Sequence, residues 1–253
     1  METVTITNTF FDECKETKWM EGWKFKTAYR PFNRTAKVGN MAYLYSKYDR
    51  PTTTKEFYEK YISDTTDNVS LEKKGRTEEE LIKFAEEYKQ NYEAITKDTS
   101  IPLDTFYKNL VFHFFTQTIT GHQAEEELTK IINEKYDGYT ASPVDYILDT
   151  KYGIDIEVNG DNGNKFFLQV KPISFIVGKN PSEDLKKDRE ALIYKRCEAL
   201  KDYGYNTYYV FYKKKDDGHL EWLVRNKKIT HTLNQILDNN GNSIFTYDNT
   251  TWK

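Results

Sequence analysis

Two short runs of alternating residues constrain this chain more than any other feature. They are Gly153-Ile154-Asp155-Ile156-Glu157-Val158 and Phe166-Phe167-Leu168-Gln169-Val170-Lys171-Pro172. Between them lies Asn159-Gly160-Asp161-Asn162-Gly163-Asn164, a strong turn signal. Side chains on a strand point alternately to opposite faces. Ile154, Ile156 and Val158 therefore share one face, and Asp155 and Glu157 the other. On the second run Phe166, Leu168 and Val170 oppose Phe167, Gln169 and Lys171. The pattern predicts a hairpin with one apolar face and one face that gathers Asp155, Glu157, Gln169 and Lys171. A solvated hairpin with a cross-strand ion pair would read the same way, and such a pair contributes only a few tenths to about 1 kcal/mol. Two details argue against it. Phe167 shares the supposedly exposed face, and apolar helical segments flank the hairpin in sequence. A sheet covered on both faces buries this polar set, and buried charges require a partner or a metal.

The chain has 253 residues and a formal net charge of −3. It is not a polycation, so any affinity for nucleic acid must come from a local patch. One such patch is visible. Between Gly22 and Arg50, Lys24, Lys26, Arg30, Arg34, Lys37, Lys47 and Arg50 face a single acid, Asp49, and aromatic residues interleave with them. Phosphates attract Lys and Arg, and splayed bases stack on aromatic faces. Lys24, Lys26, Arg30, Arg34 and Lys37 are the candidate DNA contacts; the alternative is a surface whose aromatics pack inward. Only Cys14 and Cys197 are present, which is neither a disulfide framework nor a zinc pattern. With no apolar run of membrane-spanning length and no evident secretion signal, a soluble cytoplasmic protein without a membrane partner is the expectation.

The first fifty residues read as irregular, with short strand-like pieces. Helices are predicted from Thr53 to Tyr61, from a Thr77–Glu80 capping box to about Tyr92, and from Leu103 to about Thr118. His113, among the apolar residues of the last, reads as a core or boundary histidine. Another helix follows Gly121, with Ala124, Leu128, Ile131 and Ile132 inward and Glu125 at the border of that stripe. After the hairpin, a helix from Ser182 to about Asp202 is expected to bury Leu185, Ala191, Leu192, Cys197 and Leu200. Strands are predicted at Tyr205–Tyr212 and His219–Val224, and a final helix at Ile229–Leu237. No linker or repeat is visible. The expected body is a single compact domain: a helix-rich region over 1–118, a core over 119–228 and an extension over 229–253.

This order of elements and these residues resemble the PD-(D/E)XK nuclease superfamily, which includes many type II restriction endonucleases. The resemblance implies an α/β (α+β) fold with a mixed central sheet flanked by helices. It places Asp155 at the signature Asp, Gln169-Val170-Lys171 at the acid-x-Lys element, and Glu125 at the helix Glu. The chain departs from the signature at Gln169, where a carboxylate is usual. An amide oxygen can bind a metal but brings no charge. Glu157 is the first candidate to supply that charge, because it shares a face with Asp155, and Glu125 is the second.

The resemblance further implies Mg²⁺, with Mn²⁺ as a substitute, held by Asp155, the Val170 carbonyl, Glu125 and Glu157. Such a cation neutralises charge on a phosphate and lowers the pKa of bound water. Lys171 would orient or help deprotonate that water. The expected activity is sequence-specific hydrolysis of double-stranded DNA. A palindromic site would imply a homodimer, since two-fold protein symmetry mirrors a two-fold site. A structure-selective repair or junction nuclease and a catalytically decayed DNA-binding module are the alternatives.

Overall fold

The structure is a computed structural model that describes residues 4–32, 35–64, 66–161, 163, 165–172, 183–214, 220–226 and 229–231. Contacts divide the chain into two compact units, Met1–Thr120 and Gly121–Lys253. The division falls two residues from the boundary expected between the helix-rich region and the core.

The regular elements of the first unit, among the described residues, are helices, including in the stretch expected to be irregular. It opens with α1 (Phe10–Glu16), α2 (Trp23–Tyr29), α3 (Thr35–Val38) and α4 (Met41–Lys47). Helices of seven residues or fewer are too short to show a period or to stand alone. They hold because they bury Phe10, Ala28, Val38, Leu44 and Tyr45 completely or nearly so. Next come α5 (Thr54–Ile62), capped by the Thr53 hydroxyl, and α6 (Glu78–Thr96), whose Thr77–Glu80 capping box forms as the sequence requires. α6 buries Leu81, Ala85, Tyr88 and Tyr92.

Two polar knots fasten this unit. The Asp64 carboxylate accepts from the Tyr48 hydroxyl at 2.5 Å, the Lys47 ammonium at 2.8 Å and the Gly75 amide at 3.0 Å. The buried Arg76 guanidinium donates to the carbonyls of Ala36, Leu71, Lys74 and Gly75.

α7 (Leu103–Val111) runs through a π-helical turn at Phe112–Thr116 directly into α8 (Gln117–Lys135). The sequence predicted two helices parted near Gly121. A lone glycine costs a helix only about 1 kcal/mol relative to alanine, and no proline stands there to enforce a break.

The second unit carries a six-stranded sheet in the order β1-β2-β3-β4-β5-β6. The strands are β1 (Tyr139–Pro143), β2 (Ile156–Gly160), β3 (Lys165–Pro172), β4 (Asn206–Lys214), β5 (Leu220–Asn226) and β6 (Ile229–His231). β3 and β4 pair in parallel, and all other neighbours are antiparallel, so the sheet is mixed. A parallel pair needs a crossover, and α10 (Glu183–Tyr203) lies in that connection, while α9 (Tyr146–Tyr152) precedes β2.

Alternation sorts the sheet into two faces. Phe166, Leu168 and Val170 join Ile156, Val158, Tyr208 and Val210 under Ala124, Leu128 and Ile132 of α8. Phe167 joins Ile154, Tyr152 and Ala199 on the opposite side, toward α9 and α10. Helices cover both faces, which is the arrangement expected from the sequence.

Four expectations are corrected. Ile154, expected to share a face with Ile156 and Val158, packs with Phe167 instead, because it lies before β2 and outside the strand alternation. The strand predicted at Gly153–Val158 is shifted to Ile156–Gly160. Gly153, at φ +66°, is the left-handed C-cap of α9 and turns the chain toward the sheet. Among the described side chains of α10 Ala199 is buried, whereas Ala191, Cys197 and Leu200 are exposed. Cys197 lies two residues from Ala199, about 200° around the helix, and therefore faces solvent. The side chains of Leu185 and Leu192 lie outside the described residues. The C-terminal helix expected from Ile229 begins as a strand, because β-branched Ile229 and Thr230 pair with Asn226 and Arg225. Residues 232–253 lie outside the described set. Among the described residues, no helix is long and apolar enough to cross a membrane.

Candidate active site

Asp155 stands one residue before β2, where the hairpin ladder ends. Its amide donates to the Leu168 carbonyl at 2.9 Å and its carbonyl accepts from the Val144 amide at 3.3 Å. Its carboxylate Oδ2 accepts from the Val170 amide at 2.6 Å, taking the place of a main-chain acceptor. The Lys171 ammonium lies 3.5 Å from the same oxygen and donates to the Val170 carbonyl at 3.0 Å. Asp155 and Lys171 thus converge, as the alternation pattern predicted, and Asp155 is only 8 % exposed.

Glu125 reaches the same place from α8. Its Oε2 lies 3.0 Å from His122 Nδ1, one helical turn earlier. Asp149 of α9 joins them, within electrostatic reach of Glu125, Lys171, His122 and Lys195.

The titration of these groups reflects burial first and neighbouring charge second. Burial pushes the Asp155 carboxyl up to about 7; Glu125 and Asp149 add to the rise, while Lys171 and the Val170 amide oppose it. Burial also raises Asp149, reinforced by Glu125. For His122, burial acts downward but is outweighed by Glu125, Asp149 and Asp155, so the net shift is upward. The charges of Asp155, Asp149 and Glu125 act on one another, opposed by Lys171 and, at Asp149, by Lys195.

The other predicted residues are placed as follows. Gln169 is buried on β3, in register with Tyr209 of β4. Glu157 is half-buried but its charge is matched locally: Lys165 lies 2.6 Å away, and Asn159 Nδ2 donates to it at 3.0 Å. It is therefore not the carboxylate that completes the cluster around Asp155. Lys24, Lys26 and Arg30 are exposed on and just after α2, whereas Lys37 pairs with Glu87 at 2.9 Å and lies over the rings of Phe32 and Phe84. Arg34 lies outside the described residues. The neighbouring aromatics mostly pack inward: Phe25 stacks on Tyr92 at 4.4 Å, and Phe32, Tyr45 and Tyr48 are buried. His113, half-buried against Tyr29, keeps to the core boundary.

Sequence reading missed His122, Asp149 and Lys195. His122 had a signal, since it lies three residues before Glu125 and so on the same helical face. Asp149 had none, because its seven-residue helix is too short to show a period.

Among the described residues, no group of three or more His, Cys, Asp or Glu side chains forms a ready-made metal cage. Mg²⁺ does not need one: it keeps several waters and takes one or two carboxylates. Asp155, the Val170 carbonyl and Glu125 are the donors that fit such an ion, and the buried Asp155 carboxylate, held at 2.6 Å by the Val170 amide, is the observation that supports the fit. No family model, curated protein or solved structure matches the chain.

Proposed function

We propose that this chain is a Mg²⁺-dependent endonuclease of the type II restriction kind, hydrolysing phosphodiester bonds in double-stranded DNA. The observation that carries the reading is the sheltered convergence of Asp155 and Lys171 at the end of the β2–β3 ladder, with Glu125 beside them. A mixed sheet flanked by helices supports it further, since that is the core the sequence resemblance implies.

The ion, when bound, would neutralise charge developing on the phosphate and acidify an attacking water. The protein's own groups do the positioning. The Val170 amide fixes the Asp155 carboxylate through Oδ2. Two N–H groups of Lys171 are engaged by Asp155 and Val170, and a third remains for water or a phosphate oxygen. Lys171 thereby offsets phosphate charge and orients the nucleophile. Exposed Lys24, Lys26 and Arg30 are the proposed phosphate contacts.

Purified protein incubated with phage DNA and Mg²⁺ or Mn²⁺ is expected to yield discrete fragments. Lys171→Ala is expected to lower the rate by about 100-fold or more. Full cutting by that variant, or no fragments with any divalent metal, overturns the reading. The buried Gln169, where an acid is usual, favours one competitor, a decayed DNA-binding module. That module would bind DNA in a salt-dependent way without any divalent-metal binding that depends on Asp155.

A further inference from the structure

We propose that the outer face of α10 docks on the same face of a second copy of this chain, the two helices running antiparallel about a two-fold axis level with Lys195 and Arg196. The inference stands apart from the nuclease reading and needs neither metal nor DNA.

Contacts decide which face of α10 looks inward. Ala199 is buried with Tyr152, Ile154 and Phe167. Tyr203 packs edge-on to Tyr152 and Phe167 at 5.4 and 5.9 Å, and Asp202 accepts from the Tyr152 hydroxyl at 2.5 Å. A helix turns about 100° per residue, so Glu190, Tyr194, Cys197 and Lys201 lie about 160–220° around α10 from Ala199. All four are exposed, Tyr194 at 66 %. Leu200, 46 % exposed, borders them. Tyr194, Cys197 and Leu200 follow one another at i, i+3 spacing, so the exposed apolar surface is continuous instead of scattered.

The occupant follows from the order of the residues. Glu190, Tyr194, Cys197 and Lys201 are spaced four, three and four apart, the spacing that keeps one seam in contact between two helices. Their order is acid, aromatic, thiol, base, which matches itself only when reversed. In an antiparallel pair, Glu190 meets Lys201 of the second copy and Tyr194 meets its Cys197, each contact made twice. A parallel pair sets Glu190 against Glu190 and Lys201 against Lys201, which repels. A two-fold interface requires this self-complementarity, because the same patch serves both subunits; an unrelated partner does not. The seam from 190 to 201 is about 16 Å long. So small a contact gives a weak, reversible dimer, with a Kd on the order of 10–100 µM.

Sedimentation velocity of the full chain in chelator, from about 5 to about 500 µM protein, is expected to show monomer giving way to dimer. Glu190→Lys and Lys201→Glu should each weaken association by about tenfold or more, because each reversal spoils both symmetric pairs. The double variant Glu190→Lys/Lys201→Glu should recover wild-type affinity. An equimolar mixture of the two single variants should form a heterodimer tighter than either variant's self-association. Rescue between two chains is a result that a loss of fold cannot imitate. Tyr194→Asp should abolish the dimer while leaving the circular dichroism spectrum unchanged. A chain that stays monomeric at about 500 µM, a dimer indifferent to the single reversals, or reversals that neither the double variant nor the mixture repairs overturns the proposal.

Discussion

Replacing Asp155 by Asn is expected to stabilise the metal-free protein. The buried carboxyl is raised from 3.8 to about 7 because ionising it inside the cluster is unfavourable. That is a little over three pKa units, and at about 1.36 kcal/mol per unit it sets a ceiling of about 4 kcal/mol. Asparagine keeps an oxygen to accept from the Val170 amide but loses the attraction to Lys171, so a gain of about 1–3 kcal/mol is expected at pH 8. The sign follows from proton binding. The folded state holds this proton up to higher pH than the unfolded chain does. The penalty is therefore absent below about pH 4, grows as pH rises between the two pKa values, and is complete above the folded one. Urea titrations in chelator at pH 4, 6 and 8 measure it: the advantage of the variant should widen with pH. Adding Mg²⁺ should reverse the order, because a ligand stabilises the state that binds it. A variant less stable than wild type at pH 8 in chelator, or an advantage independent of pH, refutes the reasoning.

Gly75→Ala places a Cβ 1.8 Å from the Tyr61 carbonyl oxygen, so backbone must move and a loss of about 3 kcal/mol or more is expected in thermal or urea unfolding. Asp64→Asn should destabilise by about 3 kcal/mol, because it strands the Lys47 ammonium in a partly buried knot. Burial alone would raise the Asp64 pKa, but Lys47, Thr66, Tyr48 and the Gly75 amide hold it well below the usual range. Its contribution is thus present above about pH 4 and lost as pH falls through the folded value, so the variant's acid unfolding limb should be flatter than wild type's. Removing Lys24, Lys26 and Arg30 together should reduce the salt dependence of DNA binding by about 0.9 in log–log slope per lost phosphate contact; an unchanged slope moves the DNA surface elsewhere.

The sequence carried the sheet and its chemistry because both are written at short range. Alternation in Phe166–Lys171 decides which side chains share a face, and burial confirms that division residue by residue. The Thr77–Glu80 box likewise fixes a helix start within four letters. What it concealed depends on tertiary contact. The short helices before Lys47 exist because Phe10, Phe32 and Leu44 find a common core. α10 lacks a single apolar face, so only packing against the sheet selects Ala199 over Cys197. Glu157 was misjudged for the same reason: strand parity puts it near Asp155, but Lys165 across the turn captures it.

The location of the site follows from where the pairing stops. Within the ladder, main-chain groups satisfy each other and leave no room for a functional acid. At Asp155 the antiparallel register is no longer kept, and the side chain itself receives the Val170 amide. On the other edge β3 runs parallel to β4, so Lys171 lies toward the carboxyl ends of both strands, beside Phe211. Ligands in open α/β sheets collect at such ends because helices and loops converge there while the strands no longer fill the space. The charge of Glu125 acts on Asp155 and on Tyr212 of β4. A one-residue slip of β3 would send Lys171 to the α8 face and bring Val170 or Pro172 to the carboxylate. Register and chemistry are therefore a single constraint, enforced by the apolar side chains of Phe166, Leu168 and Val170 against α8.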